Sequence, residues 1–281
     1  MKICGCVVLY NPVKEVYNNI LTYKNLVDKL IVIDNSSDNK ENTINIELNL
    51  LDNNIEYINM EGNEGIGKAL RIGLDKAKKE GYDWCLTMDQ DSKFPQNINK
   101  DIYYYYLEKY NNYGIISLNY DEKFNNKKEL IDVKTWITSG NFINISQYKK
   151  IKGFREELFI DYVDFDLCHQ FFQKNIKIGV ITNIIMQHQI GKPITKRFLW
   201  RKFNCMNHSP IRYYYRYRNS RYLYKEDKKF YFKIFYHEMI IDFLKMILFE
   251  KNRKAKIKKI KEGLKDSKNN KLGKYEEKDG K

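Results

Sequence analysis

Apolar residues in this chain come in short runs that stop abruptly on polar ones. Ile3 to Leu9 is a β-favouring run stopped by Asn11-Pro12, and Leu30 to Ile33 ends at Asp34-Asn35-Ser36-Ser37-Asp38. Ile55 to Ile58 leads to Asn63-Glu64-Gly65-Ile66-Gly67, and Trp84 to Met88 stops at Asp89-Gln90-Asp91-Ser92. Between the runs the period changes to that of a helix, first through Val16, Ile20, Tyr23 and Val27, then through Ala69, Leu70, Ile72, Leu74 and Ala77 up to Gly81. Strand alternating with helix predicts βαβ units and an α/β fold with a mostly parallel sheet flanked by helices. The polar run ends then collect along one edge of the sheet, where ligands bind in such folds.

Past Asp91 the spacing predicts a helix over Ile98 to Tyr110 and extended chain over Tyr113 to Leu118 and Ile131 to Ile137. A Thr138-Ser139-Gly140-Asn141 loop follows, then an amphipathic helix over Val163 to Lys174 and a strand over Ile176 to Ile181. Charge divides the chain. Its 281 residues carry a net +14, yet residues 193–281 hold 26 Lys and Arg against 10 Asp and Glu, so residues 1–192 are near neutral. The expected organisation is therefore a 1–192 body, with halves at about 1–95 and 96–192, and a basic, largely helical 193–281 extension. Such an extension suits an anionic surface, either membrane or nucleic acid.

The five cysteines form no C-x-x-C pair and three lie in apolar runs, which predicts buried, reduced thiols in a cytoplasmic protein. The amino-terminal apolar run is short and ends at Asn11-Pro12 without a small-residue cleavage site, so it reads as the first strand and not a leader. No apolar stretch approaches the length of a membrane span.

The chemistry concentrates at the run ends. Side chains two apart on an extended chain point the same way, so Asp89 and Asp91 can share a cation; the ordinary alternative is a solvated turn. Gly62-Asn63-Glu64-Gly65-Ile66-Gly67 follows a strand and opens a helix, as a phosphate loop does. It fits neither the dinucleotide fingerprint nor the P-loop, and glycines needed for packing would explain it equally well. Asp34 can accept hydrogen bonds from a ribose or base, or cap a turn. His188 closes the apolar stretch from Ile184, and an imidazole beside carboxylates suits Mn²⁺ or Mg²⁺. Asp161, Asp164 and Asp166 stand where the late helix begins, as helix-dipole partners or with one of them a general base.

Taken in order, Val7 to Pro12, Val32 to Ser37, Asn63 to Leu70, Met88 to Ser92 and Gly153 to Asp166 resemble the family-2 inverting glycosyltransferases. The rhamnosyltransferase-like branch, which builds bacterial surface polysaccharides, is the best match, over roughly Lys2 to Gly191 and more loosely over Pro210 to Leu223. The resemblance implies a GT-A fold and transfer of a sugar, rhamnose in that branch, from a dTDP- or UDP-sugar to a saccharide or lipid-linked acceptor, with Mn²⁺ or Mg²⁺. It implies donor contacts at Tyr10, Asn11, Asp34, Asn63, Gly65, Lys68, Asp89 and Gln90, and metal contacts at Asp91 and His188. It implies Asp164 as the base, and Trp136, Ser139, Gly140, Arg212 and Arg218 on the acceptor side. Two positions depart from the family's pattern: Val163 stands where Glu precedes the base, and Gln170 where Arg is common.

Two features of the extension remain open. From Asn207 to Tyr222 Arg alternates with Tyr, which could stack bases, grip the donor diphosphate or acceptor, or form a helix with an aromatic core face. Between Phe230 and Phe249 a wheel puts Phe232, Phe235, Tyr236, Met239, Ile240, Phe243, Met246 and Ile247 opposite Lys233, His237, Glu238, Asp242 and Lys245. Followed by Lys251 to Lys261, that face predicts an interfacial helix peripheral to the inner plasma membrane, or one buried against the body or against the second subunit of a homodimer. Two rival functions are a sugar-1-phosphate nucleotidyltransferase, which would want a Gly-rich basic loop where Tyr10-Asn11-Pro12 stands, and a nucleic-acid-binding protein, which would leave the acid-tipped strands without purpose; no nucleic-acid partner is expected.

Overall fold

The computed structural model describes residues 1–37, 54–95, 98–121, 128–188, 194–198 and 201–276. Asp38, Gln189 to Gly191 and the expected boundary at 192–193 lie outside these residues. The described chain divides into two compact units. The first comprises Met1–Glu156 and Asp164–His188; the second comprises Glu157–Val163 and Gln189–Lys281. The short 157–163 segment thus groups with the extension, a division that a single cut in the sequence does not give.

The first unit follows the alternation of the sequence. Strand β1 (Ile3–Leu9) leads to helix α1 (Glu15–Leu21), β2 (Lys29–Asp34), β3 (Ile55–Asn59), α2 (Ile66–Lys79), β4 (Trp84–Asp89) and the two-residue β5 (Ser92–Lys93). Then come α3 (Lys100–Lys109), β6 (Ile115–Asn119), β7 (Leu130–Val133), β8 (Asn141–Asn144), α4 (Ile145–Tyr148), α5 (Val163–Gln173), β9 (Ile178–Ile185) and the two-residue β10 (Gln187–His188). An 8-stranded sheet runs in the order β3-β2-β1-β4-β8-β6-β9-β7. Strands β3, β2, β1 and β4 are mutually parallel, so Asp34 and Asp89 finish on the same edge. Antiparallel pairing of β8 with β4 and of β7 with β9 makes the sheet mixed beyond that point. Every residue of β1 is buried, as the unbroken apolar run requires of a central parallel strand.

The glycines at the entry to α2 have two separate reasons. Gly65 adopts φ 91°, which favours glycine, and a Cβ on Gly67 would stand 2.5 Å from the Arg155 carbonyl oxygen. All five cysteines are free and buried, and burial pushes the Cys6 and Cys168 thiols well above their ordinary value.

In the second unit, β11 (Ile194–Phe198) and β12 (Arg201–Cys205) form a ribbon ahead of α6 (Pro210–Glu226). Helix α7 (Lys228–Tyr236), a π turn (His237–Asp242) and α8 (Phe243–Phe249) follow, then α9 (Arg253–Lys268). Much of the Arg/Tyr alternation turns out to be interior. Tyr213, Tyr214, Tyr215 and Tyr217 are buried, and Arg216 pairs with Glu238 at 2.8 Å and Asp242 at 2.9 Å. Gly263 lets α9 approach α6, since a Cβ there would meet the Tyr214 carbonyl oxygen at 2.4 Å.

The wide apolar face read from the wheel splits in two. Met239, Phe243, Met246 and Ile247 pack with Tyr213, Tyr217 and Ile260, and Phe235 stacks on Tyr224 at 4.2 Å. Phe232, Tyr236 and Ile240 remain exposed. The Lys251 to Lys261 stretch is likewise not a uniformly solvated run. Lys256 is buried, 2.7 Å from Glu250, which also accepts from the Tyr213 hydroxyl at 2.8 Å. Removing one partner of a buried pair leaves the other charge uncompensated, at a cost of about 3–5 kcal/mol. Lys256→Met is therefore expected to lower the urea midpoint sharply, and Lys256→Met combined with Glu250→Leu to recover only part of the loss, because the Tyr213 hydroxyl and the Asn207 N–H then lose their acceptor; chemical denaturation followed by circular dichroism measures both.

Candidate active site

The carboxyl ends of β1, β2 and β4 build one polar edge. Gln90 braces it: its Oε1 accepts from the Tyr10 N–H at 2.8 Å, its Nε2 donates to the Tyr10 carbonyl at 3.2 Å, and Asn19 donates to the Gln90 carbonyl at 2.7 Å. Asn11, at φ 43°, accepts from Ser37 N–H at 3.2 Å and donates its own N–H to the Ser36 hydroxyl at 2.8 Å. Asp34 is buried; one oxygen accepts from Ser36 N–H at 2.9 Å and the other from the Tyr57 hydroxyl at 2.7 Å. Asn63 accepts from Gly65 N–H at 3.1 Å, and Lys68 pairs with Glu64 at 2.9 Å one helical turn away. The sequence-predicted donor residues are thus gathered at this edge and tied into its loops.

Asp89 ends β4 half-buried, while Asp91 is exposed two residues beyond it. Strand β10 pairs antiparallel with β5, setting His188 directly opposite Ser92. That ribbon joins the two ends of the constellation. Ligand atoms of Asp89, Asp91 and His188 all lie within 4.8 Å of one another, a group that could hold a divalent cation. A line of hydroxyls supports them. Ser139 accepts from Asp89 N–H at 3.1 Å and donates to Ser92 at 2.8 Å, and the Ser92 oxygen is 2.6 Å from His188 Nδ1. The same Nδ1 lies 3.7 Å from Asp91, so the Ser92 hydroxyl and the Asp91 carboxylate meet one edge of the imidazole, and the Ser92 contact fixes how that ring faces the acids.

Burial, then the neighbouring Asp91 and Asp164 carboxylates, push the Asp89 carboxyl up to about 7. Burial holds His188 below its ordinary value, with Asp91 partly offsetting it. Asp164, half-buried at the start of α5, therefore acts electrostatically on the same edge as Asp89. The other two acids of that segment are engaged elsewhere. Asp166 is buried, 3.3 Å from Arg155 and 2.7 Å from Gln170, which also donates to the Gly153 carbonyl at 2.9 Å. Asp161 belongs to the second unit and pairs with Arg212 at 2.6 Å. Gln170, in place of the family's usual Arg, is an internal brace.

Of the acceptor-side expectations, Ser139 carries the hydroxyl line below Asp89 and is fully buried. Trp136 is buried, donates to the Leu118 carbonyl at 3.2 Å and packs on Tyr120 at 4.9 Å, and Tyr120 in turn lies 6.0 Å from the His188 ring. Gly140 adopts φ 78° and a Cβ there would meet the Met186 sulfur at 2.5 Å. Arg218, expected to face an acceptor, is instead fully buried in the second unit. It donates to the Gly273 and Leu158 carbonyls at 2.6 and 3.0 Å. Sequence reasoning missed Ser92 as a partner of His188 and Tyr120 as its neighbour; an alternating strand pattern of only two residues gives no periodic signal.

Residues 6–173 match the model of the family described as Glycosyl transferase family 2. The chain is 28% identical over 244 residues to the dTDP-rhamnosyl transferase RfbF of Shigella flexneri, covering 78% of each. Its fold is similar to that of S. aureus TarS residues 1–349, with a TM-score of 0.59 and 15% identity over 95% of this chain and 81% of that one. It is similar also to GalNAc-T7, solved with UDP, GalNAc and Mn²⁺, with a TM-score of 0.58 and 13% identity over 84% of this chain and 50% of that one. The expected GT-A fold is borne out.

Asp89 is protonated more readily folded than unfolded, so folding binds a proton there. Its ionisation removes stability as pH rises from about 4 to about 7. Asp89→Asn is thus expected to raise the melting temperature of metal-free protein at pH 8 and to leave it nearly unchanged at pH 4; differential scanning calorimetry at the two pH values checks the sign.

Proposed function

The chain belongs to glycosyl transferase family 2, and from that premise we propose that it is an inverting transferase using a nucleoside diphosphate sugar, with rhamnose the sugar and deoxythymidine diphosphate the carrier. The similarity to RfbF supports the sugar and the carrier. The acceptor is a saccharide or lipid-linked saccharide of a bacterial surface polysaccharide, met at the inner face of the plasma membrane. One observation carries the reading: Asp89, Asp91 and His188 converge at one strand edge within electrostatic reach of Asp164.

Asp34, Asn63 and the loops after β1 and β2 receive the nucleoside, while Asp89 and Asp91 face the ribose and diphosphate end. Mn²⁺ or Mg²⁺ held by Asp91 and His188, with Asp89 beside them, would supply charge neutralisation for the leaving diphosphate, worth several kcal/mol in general. The mixed Asp₂His donor set fits such a cation. Asp164 takes the proton of the acceptor hydroxyl as that oxygen attacks the anomeric carbon from the face opposite the diphosphate. The carbon–oxygen bond to the diphosphate breaks, and nucleoside diphosphate leaves with the electron pair. A general base of this kind contributes about 10²- to 10⁴-fold. Position supports Asp164: it opens α5 within electrostatic reach of Asp89, whereas Asp166 is buried and Asp161 belongs to the second unit.

Family membership and the lack of a basic glycine loop after β1 count against nucleotidyl transfer. The burial of Tyr213, Tyr214, Tyr215, Tyr217 and Arg218 counts against base stacking.

Asp91→Asn is expected to abolish Mn²⁺-dependent tightening of nucleotide binding, read by calorimetric titration with and without the ion. Unchanged metal dependence would overturn the metal assignment. Asp164→Asn should keep donor affinity yet lose about 10²- to 10⁴-fold in turnover, and a variant with wild-type transfer would place the base elsewhere. Ser92→Ala should weaken Mn²⁺ binding about 10- to 100-fold through His188, again by calorimetry.

A further inference from the structure

The second unit carries an apolar stripe that its own core does not cover. Phe232, Tyr236, Ile240, Leu244 and Leu248 recur every fourth residue and are 56, 49, 41, 50 and 53% exposed. They lie on one continuous rod, because the junction residues Tyr236, His237, Asp242 and Phe243 all keep right-handed helical angles. In a regular helix a four-residue spacing drifts round the axis by about 40° per step, which would carry the fifth residue to the far side. The π turn at His237–Asp242, wound more widely with i→i+5 bonds, takes back part of that drift. It therefore keeps the five side chains on the exposed side of the rod over roughly 24 Å.

Charge on the rod is sorted by side. Its two acids are both bound by Arg216: Glu238 is buried, and Asp242, partly buried, also lies 3.4 Å from Lys245 and from His237. Outward, Lys228, Lys229 and Lys233 are exposed around Phe232, and Lys251 is exposed just past Leu248. The free side is thus aromatic and aliphatic, bordered by cations. Among the described residues no helix is long and apolar enough to cross a membrane. An amphipathic rod of this kind lies in the plane of a bilayer interface, with its lysines reaching to anionic headgroups.

We propose that this stripe docks the protein on an anionic lipid surface, with Phe232, Tyr236, Ile240, Leu244 and Leu248 toward the acyl chains. The geometry deepens the membrane placement proposed above: it assigns the apolar contact to the π-wound rod and not to the side of α9 that carries Lys256 and Ile260, which are internal. Its usefulness rests on the lipid-linked acceptor, but its test does not.

Full-length protein is sedimented, without nucleotide or acceptor, with vesicles of phosphatidylcholine alone and of phosphatidylcholine mixed with phosphatidylglycerol. Wild type should pellet with the mixed vesicles only, and less at high salt as the Debye length shrinks. Phe232→Ser with Leu244→Ser and Leu248→Ser should lose vesicle affinity by about 100-fold or more. Lys228→Gln with Lys229→Gln and Lys233→Gln should lose about fivefold per lysine, and, changing no apolar contact, serves if the serine variant does not fold. Transfer to a soluble saccharide should be unaltered in both. No pelleting with mixed vesicles, or equal pelleting of wild type and both variants, would overturn the proposal. So would a wild-type dimer in analytical ultracentrifugation that the serine variant dissolves, since a second copy would then cover the stripe. Vesicle binding without transfer to any acceptor would instead count against the enzymatic reading alone.

Discussion

Carboxylates gathered at one strand edge govern the organisation of the first unit. Asp89 and Asp91 stand two positions apart, and the charge of Asp164 reaches Asp89. Like charges crowded in a half-buried place raise each other's proton affinity, and burial adds to this. The edge is tolerable because it is braced from below: Ser139 receives the Asp89 N–H, Gln90 locks the loop after β1, and Asn19 holds the Gln90 carbonyl. These bonds keep the acids in place against their repulsion. A site that attracts cations strongly is for the same reason a site that folding alone does not favour.

Much of this was legible in the sequence because it depends on local pattern. Unbroken apolar runs ending in Asp34 and Asp89 state both a buried parallel strand and the edge at which it stops, and the D-x-D spacing states that two carboxylates share a side. What the pattern could not carry is pairing between distant segments. His188 reaches Ser92 only because β10 crosses to β5, 96 residues away, through a two-residue ladder. Nothing in the local sequence of either segment announces the other. Gly67 was readable as a phosphate-loop glycine or a packing glycine; the nearby Arg155 carbonyl, a contact between distant segments, supplies the packing reason.

The extension was harder for a different reason. Alternating Arg and Tyr at helical spacing describes a nucleic-acid surface and an aromatic core equally well, since stacking aromatics and guanidiniums recur in both. Partners elsewhere in the unit decide. Glu238 and Asp242 draw Arg216 inward, and the carbonyls of Leu158 and Gly273 draw Arg218. Similarly, a helical wheel assumes one constant pitch, and the π turn breaks that assumption midway along the rod. The apolar face that looked single is two faces, one turned to the core and one outward.

That sorting of charge has a physical consequence for the basic balance of residues 193–281. Acids in this part are few, and several are drawn inside: Glu238 and Asp242 by Arg216, Glu250 by Lys256, Asp266 by the Tyr214 hydroxyl at 2.8 Å. Arg216 and Lys256 are taken up with these acids, and Lys228, Lys229, Lys233 and Lys251 keep their charge at the surface. The outer face is therefore left to lysines around the rod, with those acids withdrawn from it. Fields at a protein surface depend on which charges face water more than on the net sum, and here folding itself separates the two signs. The buried pairs do structural service, and the same arrangement leaves the exposed face with one sign of charge beside a stripe of apolar side chains.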